Sequence, residues 1–315
     1  MALNQARQEL LRSMLFLSEK EAMDYAQVDN WCIRDVMSHI TARECTALAA
    51  VQHLVEDGDP QFPDPLDDQQ FNRSAVLRRR DLSLSDVLDE LDGTRRLVLR
   101  YTRPMLNQDL YGVHTVRSTG EAKSIADVLA ALVEHDYLHA SQIWQRRIEM
   151  GMLHRLDFRT VLIDERTAFM NALGGMYEEE MISIPVCGHW TVKDLMAHML
   201  SWDDEILRTM EHWTDERPWQ QDALYDDEWN ELEVYMRNEM TVIDLADALA
   251  TSQRKILRAF DRTEDAKLVA LALTPWGDRT SLLGFLYEMA LHNGTHRADL
   301  EKISGPPAPR RRRKR

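Results

Sequence analysis

Cysteine is almost missing from this 315-residue chain, which has only Cys32, Cys45 and Cys187. They are odd in number, far apart and without a Cys-x-x-Cys spacing. That excludes a disulfide framework or a thiolate zinc finger and fits a reducing compartment. Glycine (12) and proline (10) are scarce and fall mostly between periodic segments, as in an all-helical protein. No uncharged apolar run approaches the ~20 residues of a membrane-spanning helix. Met1 to Lys20 mixes Arg, Glu and Gln with Leu and has no signal-peptide core, which predicts a cytoplasmic protein without a membrane span.

An excess of basic residues is missing as well. Lys+Arg number 38 against 53 Asp+Glu, a formal net charge of −15, which argues against a general nucleic-acid surface. The balance is uneven: −6 over residues 1–155, −15 over 156–309 and +6 over Arg310 to Arg315. Hydrophobic residues make up 44%, enough to build cores and to exclude intrinsic disorder. The length predicts about two domains of roughly 150 residues.

What is present is an internal repeat. Trp31-Cys-Ile-Arg-Asp-Val-Met-Ser-His39 aligns with Trp190-Thr-Val-Lys-Asp-Leu-Met-Ala-His198 at an offset of 159. Phe71-Asn72 matches Trp229-Asn230, and Leu84-Ser-Asp86-Val matches Val242-Ile-Asp244-Leu, both at 158. His135-x-x-x-His139 matches His292-x-x-x-His296 at 157. The small drift predicts two copies of one domain, residues 1–152 and 156–305, followed by a disordered Pro/Arg-rich basic tail at 306–315.

Helical spacing and start signals predict four helices per copy, near 3–27, 31–57, 83–103 and 122–150, then 157–181, 191–213, 241–262 and 280–304. Thr191 with Asp194 reads as a capping box. The long connections at 58–82 and 214–240 fit a four-helix bundle with one crossover between its second and third helices.

Helical phase then aims the histidines. Ile125, Leu129, Leu132, His135, His139 and Ile143 advance by three or four, as do Phe285, Met289, His292, His296 and Leu300. Residues so spaced share one face, so each pair lies on the apolar stripe. His39 follows Ile33 and Val36, and His198 follows Val192 and Leu195, again at core phase. Three imidazoles from two helices therefore face each interior. A lone buried histidine is ordinarily a hydrogen-bonded core residue. Three together need shared protons or a cation to satisfy their nitrogens. The pattern predicts a divalent metal, zinc or nickel, held by His39, His135 and His139 and by His198, His292 and His296, one per domain. Three neutral ligands leave a position open for water, hydroxide or a thiolate.

Trp-x-x-[Lys/Arg]-Asp-[Val/Leu]-x-x-His, a long crossover and a final His-x-x-x-His resemble the DinB superfamily (DinB-like and YfiT-like bundles) over nearly the whole chain, as two tandem copies. The resemblance implies an all-α fold of two tandem four-helix bundles with up-down-down-up topology. It also implies a divalent metal on the same two histidine triads. Related families include bacillithiol- or mycothiol-dependent transferases and thiol-dependent maleylpyruvate isomerases. The expected function is therefore metal-dependent thiol S-transfer, isomerisation or hydrolysis on an electrophilic small molecule, with a low-molecular-weight thiol as cosubstrate. The alternative is a non-catalytic metal-containing stress-response or ligand-binding protein, with one copy a scaffold. Two bundles in one chain suggest a monomer acting as an intramolecular pseudo-dimer.

Other residues carry weaker expectations. Glu44 and Asp203, five past the histidines and about 140° around the helix, are expected on the solvated face. Glu205, seven past His198, returns to its face as a candidate proton-relay group and the only candidate catalytic residue. Asn72 and Asn230 read as caps or crossover anchors, with substrate or cofactor contact as the sharper reading. Trp31 and Trp190 are expected to pack the bundle end. Trp202, Trp213, Trp219, Trp229 and Trp276 read as aromatic core or pocket lining. Gly294, costing about 1 kcal/mol against Ala in mid-helix, predicts a looser second site.

Overall fold

The structure, a computed structural model, describes residues 2–24, 31–57, 68–115, 122–213 and 227–304. The basic tail, Trp219 and the first parts of both crossovers lie outside the described residues. The chain divides into two compact units, Met1–Met152 and Leu153–Arg315. Both are all-α apart from short two-stranded hairpins.

The first unit contains α1 (Ala2–Arg12), α2 (Glu19–Asp24), α3 (Ile33–Asp57), α4 (Asp68–Arg79), α5 (Leu84–Thr102) and α6 (Asn107–Tyr111). The hairpin β1 (His114–Thr115) and β2 (Ala122–Lys123) then leads into α7 (Ile125–Glu149). Helix α3 packs on α5 and α7, and α1 packs on α7. The second unit contains α8 (Arg155–Leu173), α9 (Glu178–Met181), β3 (Pro185–Cys187), β4 (Trp190–Thr191), α10 (Val192–Glu211) and α11 (Asp227–Met236). It continues with α12 (Val242–Arg262), α13 (Asp265–Val269), β5 (Leu271–Leu273), β6 (Arg279–Ser281) and α14 (Leu282–Ser304). Here α10 packs on α12 and α14, and α8 packs on α14.

The main helices start where the sequence marks them. Ser83 with Asp86, Ser124 with Asp127, Thr191 with Asp194 and Thr241 with Asp244 all form reciprocal capping boxes. In the third, Thr191 Oγ1 accepts from the Asp194 N–H at 3.3 Å, and the Asp194 carboxylate accepts from the Thr191 N–H at 2.9 Å. Each side-chain cap contributes about 1 kcal/mol and satisfies amides that the helix cannot pair.

The first helix of each unit is shorter than its periodicity suggests. In place of a helix over 3–27, α1 ends at Arg12, Phe16 adopts φ 65°, and α2 restarts at a capping box between Ser18 and Glu21. In place of one over 157–181, α8 ends at Leu173 before Gly174 and Gly175, the latter at φ 105°. That conformation is open to glycine and closes the helix. Both crossovers carry a helix, α4 and α11, laid against α3 and α10 respectively.

The cores repeat in register. Leu10, Val36, Met37, Ile40, Val87, Leu91 and Ile143 are buried together in the first unit. Phe169, Leu195, Met196, Met199, Leu245, Leu249 and Leu300 hold the corresponding places in the second. Each such side chain contributes roughly 1.5–3 kcal/mol on burial, and the histidines ride on these same stripes. No helix among the described residues is long and apolar enough to cross a membrane.

Candidate metal centres

In the first unit α3 supplies His39 and α7 supplies His135 and His139. His135 Nε2 lies 2.9 Å from His39 Nε2 and 3.1 Å from His139 Nε2. In the second, α10 supplies His198 and α14 supplies His292 and His296. His292 Nε2 lies 3.4 Å from His198 Nε2 and 2.9 Å from His296 Nε2. Within each triad the ligand atoms all fall within 4.8 Å of one another. A cation about 2.1 Å from each nitrogen requires ligand–ligand edges of about 3.0 Å at right angles and about 3.4 Å at tetrahedral angles. The two edges that meet at His135 and the two that meet at His292 lie close to that range, and each triad could hold a metal ion.

The protonation states suit the same role. Burial and the neighbouring imidazoles push His135 and His198 down to about 2 and His292 down to about 3. His139 and His296 are lowered by burial as well, against partial relief from Gln142 and Asp299. Neutral imidazoles offer lone pairs, and three lone pairs aimed at one point leave a cation as the natural partner.

Neighbouring polar groups orient the rings. His139 Nδ1–H donates to Gln142 Oε1 at 2.9 Å, which leaves Nε2 unprotonated toward the cluster. In the second unit Asp299 occupies the same position, its Oδ2 3.7 Å from His296 Nδ1. The change from Ser141-Gln142 to Ala298-Asp299 therefore keeps a polar partner three residues after the last histidine.

Trp31 and Trp190 wall the clusters directly. Trp31 stands 5.5 Å from the His39 ring, and Trp190 stands 4.8 Å from the His198 ring. Trp202, one turn past His198, lies 6.2 Å from that ring and 5.8 Å from His292. Trp229 on α11 and Trp276 pack on Trp202 at 5.0 and 5.9 Å. Trp213 instead belongs to the core, against Phe285, and donates to the Ala270 carbonyl.

Both crossover asparagines reach this region. Asn230 lies near enough to His198 to offset part of the lowering of that imidazole by burial. Asn72 Oδ1 accepts from Arg43 Nη2 at 3.5 Å, and the Arg43 guanidinium lies 4.7 Å over the Phe71 ring. Arg43 is also close enough to His135 to disfavour its protonation. Glu205 is buried and paired with Arg208 Nη1 at 3.2 Å. Cys32 and Cys187 are pushed up mainly by burial, the reverse of what activates a thiol.

Glu44 and Asp203 are not on a solvated face. Both are fully buried in ion-pair networks. Glu44 accepts from Arg7 Nη2 at 2.9 Å and from Arg95, and both arginines also pair with Asp136. Asp203 accepts from Arg166 and from Ser252. These acids do point away from the histidines, as their phase requires. But α3 and α10 are covered on more than one side, so pointing away leads to another helix. The networks went unanticipated because a lone Arg or Glu in a helix ordinarily faces water. The signal was Arg7 and Arg166, which recur at the histidine offset of 159 inside apolar stretches.

A four-helix core with an open three-imidazole cluster defines a class of helical-bundle proteins equipped for a divalent cation. Residues 162–300, within the second unit, match the model of the DinB superfamily. Searches of the curated proteins and of the solved structures returned no match.

Proposed function

We propose that this is a tandem DinB-like protein in which both triads bind a divalent metal. The observation that carries the reading is the convergence of three Nε2 atoms in each unit at spacings a single cation would bridge. The first unit repeats the core register of the second, the capping box that starts α5 and α12 and the three-histidine arrangement, which supports a duplication. The all-imidazole set suits zinc or nickel.

The favoured activity is thiol transfer, isomerisation or hydrolysis on an electrophilic small molecule. When bound, the metal would supply Lewis-acid activation of a thiol or water at the position the three imidazoles leave open. The chain's own residues do the rest. Gln142 holds His139 in the coordinating tautomer, and the Asp299 carboxylate stands 3.7 Å from His296 Nδ1. Trp31 and Trp190 shield one side of each cluster from water. Glu205, a buried carboxylate on the same helix as His198, is the candidate proton carrier of the second unit.

One observation favours a second reading, a metal-containing binding protein without turnover. Glu44 and Asp203, buried carboxylates five residues past His39 and His198, are committed to arginines and are not available as bases.

Metal analysis of the full chain should give about two equivalents of divalent metal. His135→Ala with His139→Ala should remove one equivalent and leave the other. Turnover of a generic electrophile with bacillithiol, mycothiol or glutathione then separates the readings. Metal-dependent acceleration supports the enzyme, and its absence with every thiol and with water supports the binder.

A further inference from the structure

The two clusters share ligands but not walls. Four residues after the first histidine, one turn along the same helix face, the first unit has Arg43 and the second has Trp202. Facing that position from the crossover helix are Phe71 and Asn72 in one unit and Trp229 and Asn230 in the other. In the first unit the Arg43 guanidinium is stacked on Phe71 and held by Asn72 Oδ1, a fixed cation beside the histidines. In the second, Trp202, Trp229 and Trp276 form an aromatic wall against His198 and His292. All three tryptophans are partly exposed, so ring surface remains for a ligand. His135 and His292 are the partly exposed members of their triads, and the His292 ring lies 5.8 Å from that of Trp202.

Resting on the metal reading above, we propose that the two sites select different ligands: the first an anionic one, whose carboxylate pairs with Arg43, and the second an uncharged aromatic one, which stacks on Trp202 and Trp229. A planar guanidinium held by an amide and a ring is preorganised for a carboxylate. An indole wall offers no charge and rewards apolar planar surface. A cationic guest is disfavoured in the second site, because it would lie beside the metal that the triad holds. The duplication thus supplies two specificities on one scaffold.

The test uses the full chain with one triad disabled at a time, by His292→Ala with His296→Ala or by His135→Ala with His139→Ala. Metal-free protein is loaded with Co(II), and uptake is read first from the d–d absorption. The probes are 3-mercaptopropionate and benzyl mercaptan, which share a thiol and differ in their far end. Their affinities come from the thiolate-to-cobalt charge-transfer band. The first site should bind 3-mercaptopropionate about tenfold more tightly than benzyl mercaptan, the size of one charge-assisted contact. The second site should show the reverse order. Arg43→Met should abolish the first preference and Arg43→Lys should retain part of it. Trp202→Arg should weaken benzyl mercaptan at the second site and favour the anion. Should a variant take up no cobalt, the unsubstituted Arg43 site still decides, since its preference must shrink as salt rises from about 0.02 to about 0.5 M, roughly a fivefold fall in Debye length. Equal affinities at both cobalt-loaded sites, or failure of the probes to bind there, overturn the proposal. A chain that takes up no Co(II) overturns the metal reading and the selectivity with it.

Discussion

Arg166 places Nη1 and Nη2 on the two carboxylate oxygens of Asp203, at 2.8 and 2.6 Å, with both side chains withdrawn from solvent. Its Nε–H goes to Asn293 Oδ1 at 2.7 Å, the residue after His292. One guanidinium therefore ties α8 to α10 and to the histidine-bearing α14. A buried bidentate pair is not in itself a large source of stability, because desolvation offsets most of the attraction. Losing one partner is another matter. Asp203→Asn should destabilise the second unit by about 3–5 kcal/mol, since it strands the Arg166 charge. Asp203→Leu combined with Arg166→Met should cost far less. Hydrogen exchange across α8 and α10 measures this. Equal losses in the single and the double variants would show that the pair is not the source.

The first unit solves the same problem with four charges. Arg7 and Arg95 each bridge Glu44 and Asp136, whereas the second unit has Arg166, Gln253, Asp203 and Asn293 in the corresponding places. Even a backbone contact is kept: Arg95 donates to the Leu3 carbonyl and Gln253 donates to that of Leu162. Each set is neutral overall, so Arg95 and Asp136 should have exchanged as a pair. Arg95→Gln alone and Asp136→Asn alone should each cost about 3–5 kcal/mol. Together they recreate the second unit's complement and should cost at least about 2 kcal/mol less than the sum of the singles. Exchange rates of α3 and α7 amides in the full chain give the three numbers, and simple additivity would contradict the pairing.

Acid should weaken the metal-free protein. The pKa values of His135, His198 and His292 lie below the unfolded value near 6.5, so the unfolded chain binds more protons between the two. The stability held by neutral imidazoles is complete above about pH 7 and is lost as pH falls below about 6.5. Each imidazole contributes a slope of up to about 1.4 kcal/mol per pH unit. A competing effect has the opposite sign, since acid relieves the self-repulsion of a chain with net charge −15. Screening at about 0.15 M salt reduces that repulsion far more than it affects the buried groups. The Tm of metal-free protein should therefore drop between pH 7.5 and pH 5 in salt. A Tm that is flat or rising would show that the imidazoles are not held neutral.

What the sequence revealed and what it hid have one physical origin. The His135–His139 and His292–His296 pairs were legible because two polar residues one turn apart on an apolar stripe can only face inward. The buried arginines were not, because periodicity marks one face of a helix while α3 and α10 are packed from several directions. The break after α1 was legible in principle, since Ser18 and Glu21 spell a capping box inside an otherwise periodic stretch. The periodicity outweighed it. The Trp31 and Trp190 contacts with the histidines were hidden for a different reason. Each stands eight positions before its ligand, beyond the reach of helical phase, and Trp190 belongs to the short strand β4 paired with β3.

Gly294 in α14 lies where a weak helix former and a close approach between two helices coincide. It sits between His292 and His296 in an unbroken helix, and a Cβ there would meet Glu165 Oε2 at 2.8 Å. The glycine is thus where α8 presents a carboxylate to α14, and the His292–His296 contact across it stays at 2.9 Å. Glu165 approaches with the far end of a flexible, partly exposed side chain, 3.9 Å from Arg297 Nη1, and it can rotate aside. Gly294→Ala should therefore recover most of the helix propensity, a gain of about 0.5–1 kcal/mol. Metal stoichiometry should be unchanged, because neither histidine has to move. Thermal unfolding with and without Co(II) checks both halves. A loss of stability would mean that Glu165 is held in place, and a lost equivalent of cobalt would mean that the close approach of α8 sets the histidine geometry.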